Sequence, residues 1–263
     1  MVARNLGSTG SPGGTDSAGV PWQGRHFEES TWDDDDGAAP ELLLEALRRF
    51  RAGELGQVDV LDAVRESRLL VPLIAELGES GLGEHGQLID KSQELSIVTV
   101  AGPDGRTVLP VFTSADAMQR WNAAARPVPA QAERVAMAAA SENTDLVVID
   151  PTADTEFVVR RPALAALAQS LPWVPSYLDE EVLDAFVAAA RTEPAVTAIA
   201  VAPGDPTATL AGPELVVRLA LAPGLGREEL AEVTGRLNAL WSHDPVIATR
   251  VDSLGLKLVA ATP

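Results

Sequence analysis

Thr113 and Ser114 stand where an apolar run, Val108 to Phe112, gives way to a helical pattern that closes on Trp121. A serine at a strand-to-helix turn can serve as a nucleophile if glycines permit a strained turn and a base lies within reach. The neighbours here read Phe-Thr-Ser-Ala-Asp, without glycine, and none of the three histidines (His26, His85, His243) is well placed in sequence to act as that base. Helix capping accounts for the same residues. Thr113 or Ser114 supplies an N-cap hydroxyl, and Asp116 sits in the first turn, where a carboxylate favours the positive end of the helix dipole. No catalytic residue is therefore assigned.

Arg160 and Arg161 form a compact basic pair directly after an apolar strand pattern. Two guanidinium groups side by side can hold an anion or a partner's carboxylate. Thr113, Ser114, Asp116, Arg160 and Arg161 are thus the candidate binding residues. The carboxylate clusters Asp179-Glu180-Glu181 and Glu228-Glu229 fall at expected helix starts, where capping explains them. Pro223-Gly224-Leu225-Gly226 lies between a strand and a helix but lacks the Lys and Ser/Thr of a phosphate loop. The histidines are far apart, and the Asp33–Asp36 run lacks the ordered spacing of a calcium loop, so no metal site and no cofactor are expected.

Composition narrows the classes of function. The 263 residues carry a net charge of -18 and no cysteine, and 46% are hydrophobic but only 4% aromatic. Ala, Val and Leu must fill the core. An acidic chain without a basic cluster is a poor ligand for phosphate backbones, so nucleic acid is not expected as a partner. No apolar run reaches the roughly 20 residues that span a bilayer, and the start of the chain lacks a signal-peptide core. A cytoplasmic protein that does not engage membranes is expected.

The elements that must position these residues follow from periodicity and punctuation. Residues 1–38, rich in Gly, Ser and Asp, read as a disordered acidic tail, with Trp22, Phe27 and Trp32 as potential anchors for a partner. Residues 39–170 read as an α/β domain. It has a helix from Pro40, a second from Gln57 to Ser67, and a strand at Leu69–Gly78 whose Pro72 argues for an edge or a bulge. A charged, Gly-rich loop follows at Gly78–Gln93. Strands at Leu95–Ala101 and Arg106–Phe112 are joined by the turn Pro103-Asp104-Gly105. A helix at Gln131–Ser141, strands at Asp145–Asp150 and Glu156–Arg160, and a helix at Ala163–Gln169 complete it. Residues 171–180, with Pro172 and Pro175, read as a linker.

Residues 181–263 read as a smaller α+β domain. Helices at Leu178–Thr192 and Arg227–Ser242 lie on one face of an antiparallel sheet, whose strands are Val196–Ala202, Glu214–Ala222, Val246–Val251 and Leu256–Ala260. The fold class is α+β (α/β-like), two mixed sheet-and-helix domains behind the tail.

Three stretches carry a family resemblance: LPVFTSADAMQRW at Leu109–Trp121, DLVVIDP at Asp145–Pro151 and FVVRRPALAALA at Phe157–Ala168. With them, Ser96–Trp173 resembles the N-terminal domain of the SseB family, of the actinobacterial type. Glu180–Ala260 is similar to the smaller C-terminal domain seen in such proteins. The Gly78–Gln93 loop and the acidic tail depart from that pattern. The resemblance implies an α/β or α+β protein of the bacterial cytoplasm, with no established reaction, cofactor or catalytic set. Two functions stay open. One is a non-catalytic interaction or regulatory protein that binds a protein partner or itself. The other, suggested by the serine-sensitivity phenotype behind the family name, is a small-ligand binder or enzyme of amino-acid metabolism, with a concave site near Thr113, Ser114 and Arg160.

Overall fold

A computed structural model of the chain describes residues 35–77 and 93–260. Most of the expected acidic tail and all but the last residue of the expected Gly78–Gln93 loop lie outside the described residues. Residues 36–263 cluster as one compact unit, and the described chain is α+β.

Helix α1 (Glu41–Arg51) buries Leu43, Ala46 and Leu47 at helical spacing, and Arg48, Arg49 and Arg51 occupy its last turn, where cations suit the helix dipole. Helix α2 (Gln57–Arg65) buries Val60, Leu61 and Val64 in the same core. Strand β1 (Arg68–Leu77) is the middle strand of an antiparallel sheet, between β2 (Gln93–Ile97) and β5 (Arg126–Gln131). This corrects the expectation that Pro72 marks an edge or a bulge. Leu70 exchanges backbone hydrogen bonds with Phe112, so Pro72, two residues on, also turns its nitrogen away from β5. Pro127 and Pro129 face Pro72 and Leu70 at positions where β5 needs no donor. These two prolines hid β5 from sequence reading.

The expected strand Leu95–Ala101 is two strands in different sheets. β2 pairs with β1, whereas β3 (Val100–Ala101) forms the expected hairpin with β4 (Thr107–Val111) across a turn in which Gly105 has φ +83°. The second sheet has the order β3-β4-β6-β7, with β6 at Leu146–Ile149 and β7 at Phe157–Arg160; β4 and β6 run parallel. Its core strands are apolar throughout because both faces are covered. Leu109, Val111, Val147, Ile149, Phe157 and Val159 join the core that holds α1, α2, α4 (Ala132–Ser141) and α5 (Arg161–Ala168). Val108, Leu146, Val148 and Val158 alternate to the other face.

Leu210 covers that other face. It belongs to the loop 204–214, which joins β8 (Val196–Pro203) to β9 (Leu215–Leu221). The Val158 N–H of β7 donates to the Ala208 carbonyl, so the loop also covers the β7 edge. Ala208 and Leu210 hold φ of +51° and +58°, costly for residues with a side chain and sustained by the packing around them. A second core gathers α6 (Glu180–Ala190), β9, α7 (Arg227–His243) and α8 (Pro245–Arg250) around Phe186 and Trp241, whose rings meet edge-on at 5.2 Å.

Two further expectations are corrected there. Residues Val246–Val251 are not a strand: Asp244 caps α8, accepting from the Val246 and Ile247 N–H groups, and Pro245 opens the helix. Nor is the sheet antiparallel throughout, because β10 (Leu254–Ala260) runs parallel to β9 after the two-helix crossover.

Candidate functional site

β6 ends at Ile149, and the chain then turns through Asp150, Pro151 and Thr152. Asp150 has φ +46° and Thr152 +68°. Asp tolerates the left-handed region; a β-branched threonine there is a true outlier, held by its surroundings. The surroundings are visible. Asp150 is only 2% exposed. Its Oδ1 accepts the Thr113 N–H at 2.8 Å, and its Oδ2 accepts the hydroxyls of Thr113 at 2.8 Å and Thr155 at 2.9 Å. The Thr152 N–H donates to the Glu156 carboxylate at 2.7 Å. One buried carboxylate thus ties together the carboxyl ends of the parallel strands β4 and β6.

Above that tie lies a cleft of about 550 Å³. One wall is α3 (Ala115–Trp121), and the other is the 151–155 turn. The cleft lies outside the carboxyl ends of β4 and β6, the place where open α/β sheets hold their ligands. Phe112 forms part of the lining, with its ring 5.3 Å from that of Trp121.

The sequence candidates separate into two places. Thr113 is buried and donates to Asp150. Ser114 is the N-cap of α3, its hydroxyl oxygen accepting the Ala117 N–H at 3.1 Å. Asp116 is exposed in the first turn of the same helix. Arg160 and Arg161 are elsewhere: Arg160 pairs in register with Leu146 at the start of β6, whereas Asp150 follows its end. The structure therefore does not bring the arginines to the Thr113-Ser114 turn. Arg161 donates to the Ala248 and Val251 carbonyls at the end of α8. The Arg160 guanidinium donates to Asp252 at 2.9 Å, Asp205 at 2.7 Å and the Gly212 carbonyl at 2.9 Å. A forked cation suits this work, since it satisfies two carboxylates and a carbonyl at once.

The charge cluster extends outward. Arg106 grips Asp252 with two bonds of 3.0 and 3.1 Å. Burial opposes ionisation of Asp252, but the hydrogen bonds from Arg106 and Arg160 outweigh it and hold the carboxyl below its ordinary range. Glu214 shows the opposite balance. Burial raises its pKa despite bonds from the Asp252 N–H and the Ser176 hydroxyl. Burial, and then the charge of Glu214, raise the pKa of Tyr177. Asp150, Asp205, Glu214 and Asp252 were not singled out by sequence reading. Their one signal is a carboxylate beside an apolar run.

A second concave surface lies on the far side of the Phe186–Trp241 core. α6 turns Val182 and Phe186 inward, with Ala185 and Ala189 partly buried at the edge of that core and Ala188 exposed beside them. With Ala239 and Leu240 of α7 these small residues line a groove of about 870 Å³, to which Pro245 also contributes. Leu240 is 44% exposed within it. Glu193 and Arg236 join across the groove by two bonds of 2.7 and 2.9 Å. His243, the histidine among the described residues, stands on the rim with its Nδ1 against the Ala239 carbonyl. Glu232 and Asp244 add negative charge there.

No group of three or more His, Cys, Asp or Glu side chains among the described residues is arranged to hold a metal ion. Among the same residues, no helix is long and apolar enough to cross a membrane.

The α+β fold, with its parallel β4–β6 pair and the strand-to-helix turn at Ser114, defines the class. Residues 43–166 match the family described as SseB protein N-terminal domain. The chain thus carries an SseB N-terminal domain. A search of curated proteins and a search of solved structures each found no match.

Proposed function

We propose that this chain is an SseB family protein, a non-catalytic interaction protein of the cytoplasm, and that residues 181–263 are its smaller C-terminal domain. The groove of α6, α7 and α8 is the observation that carries this reading. It is apolar at its floor, open along one side and edged by carboxylates. Such a surface suits a partner's amphipathic helix, laid in with apolar anchors at helical spacing. The rim charges and the chain's net charge of -18 favour a partner segment with cationic flanks. The hydroxyls of Thr113 and Ser114 support a non-catalytic role, since one donates to Asp150 and the other caps α3.

The test is affinity purification of the tagged full chain from its native host, with mass spectrometry, beside the groove variants Ala188→Glu and Leu240→Asp. Both positions are exposed, so the variants keep the core intact. The reading expects one stoichiometric partner that both variants lose, and a cross-link from the groove to a cationic apolar segment of that partner. Partner recovery indifferent to both variants would overturn it.

A further inference from the structure

The cleft over Asp150 has features that the groove reading does not use. Arg120 lines it from α3 and Asp154 from the 151–155 turn. Both are exposed, and neither has a hydrogen bond or an ion pair among the described residues, with each other or with a neighbour. A cation and an anion therefore stand over one small cavity with their charges unspent. Phe112 and Trp121 share the lining, and Trp121 is half-buried, so part of an aromatic surface faces the space. The floor is rigid, because three donors hold the Asp150 carboxylate. The volume of about 550 Å³ falls within the range of small-molecule sites.

We infer that this cleft binds a small zwitterion with a flat apolar body, its carboxylate on Arg120, its ammonium on Asp154 and its body against Trp121. The charges decide the class. A simple anion would meet Arg120 but place its charge near Asp154, and a simple cation would suffer the converse. A molecule carrying both charges satisfies the two side chains together. The aromatic wall adds a preference for an apolar side chain over a small polar one. The inference is independent of the groove and stands or falls apart from it.

The experiment is isothermal titration calorimetry of the full chain with four probes: L-phenylalanine, 3-phenylpropanoate, which lacks the ammonium, phenethylamine, which lacks the carboxylate, and glycine. L-phenylalanine is expected to bind most tightly, and glycine, with both charges and no body, more weakly. Arg120→Gln is expected to weaken L-phenylalanine about fivefold, the upper end for an exposed ion pair, and to tighten phenethylamine slightly by removing a like charge. Asp154→Asn is expected to weaken L-phenylalanine similarly and to tighten 3-phenylpropanoate slightly, for the same reason. Absence of binding heat from L-phenylalanine up to its solubility limit overturns the inference. So does equal affinity for the three aromatic probes, which would mean an apolar crevice without charge recognition.

Discussion

Replacing Arg160 by methionine removes the cation at the centre of the buried charge cluster while keeping much of the side chain's apolar stem. The consequences for its two carboxylates differ. Asp252 keeps both bonds from Arg106. Asp205 keeps the N–H groups of Thr209 and Leu210 but loses its ion-pair partner, and its side chain is 1% exposed. A buried charge stripped of its partner costs about 3–5 kcal/mol, a large share of the roughly 5–15 kcal/mol that holds a domain together. In a chain of this size that lowers the melting temperature by about 10 °C. Urea unfolding followed by tryptophan fluorescence reads the change. Adding Asp205→Asn to Arg160→Met removes the stranded charge and is expected to recover a good part of the loss.

The pH dependence follows from Asp252. Its folded pKa lies below its unfolded value of about 3.9. It therefore contributes stability that is present in full above that pH and lost as pH falls through the folded value. Arg160→Met removes one of the bonds that depress this pKa, so Asp252 in the variant gives up less stability than in the wild type as pH falls, and the stability gap between the two is expected to narrow in acid. A variant within about 1 kcal/mol of wild type at pH 7 would refute the reasoning, because a buried pair cannot lose its cation so cheaply.

Asp150→Ala strands the buried Thr113 N–H and places alanine at positive φ, for a loss of about 2–4 kcal/mol, whereas Asp150→Asn keeps an acceptor and tolerates the backbone; denaturant midpoints should rank wild type, Asn, Ala. Ser114→Ala removes the cap of α3 and is expected to cost about 1 kcal/mol by thermal unfolding, with partner and ligand binding retained; loss of binding with stability kept would restore a chemical role for the hydroxyl. Tyr177 is the chain's one tyrosine, so absorbance at alkaline pH reports it alone. Its titration is expected above the usual value of about 10, and Glu214→Gln should lower it, since the Glu214 charge adds to burial in raising it.

Local features were legible in the sequence. The cap at Ser114, the hairpin at Gly105 and the both-faces-buried strand Leu146–Ile149 each depend on residues within a few positions of one another. Features that depend on distant pairing were not. Arg160 reads as a basic residue awaiting an anion, yet its carboxylates come from 45 and 92 residues further along the chain. Pro72 reads as an edge signal, and only the register against Pro127 and the bridge to Phe112 reveal how a central strand accommodates it. Asp244-Pro245 was a readable helix start that the β-branched run after it obscured. The cleft over Asp150 combines two turns 37 residues apart, so only Thr113 and Ser114 pointed towards it beforehand.

The loop 204–214 leaves the C-terminal sheet, sends Leu210 beneath β4, β6 and β7, and accepts the grip of Arg160 on Asp205 and Gly212. Arg51 of α1 also reaches it, donating to the Thr207 carbonyl at 2.6 Å. The matched family segment ends at residue 166, some forty residues before this loop begins. A chimaera that joins residues 43–166 to a foreign C-terminal half would expose the underside of its own sheet and orphan a guanidinium. The two halves can be inherited, shuffled or transplanted only with the loop that keys one into the other.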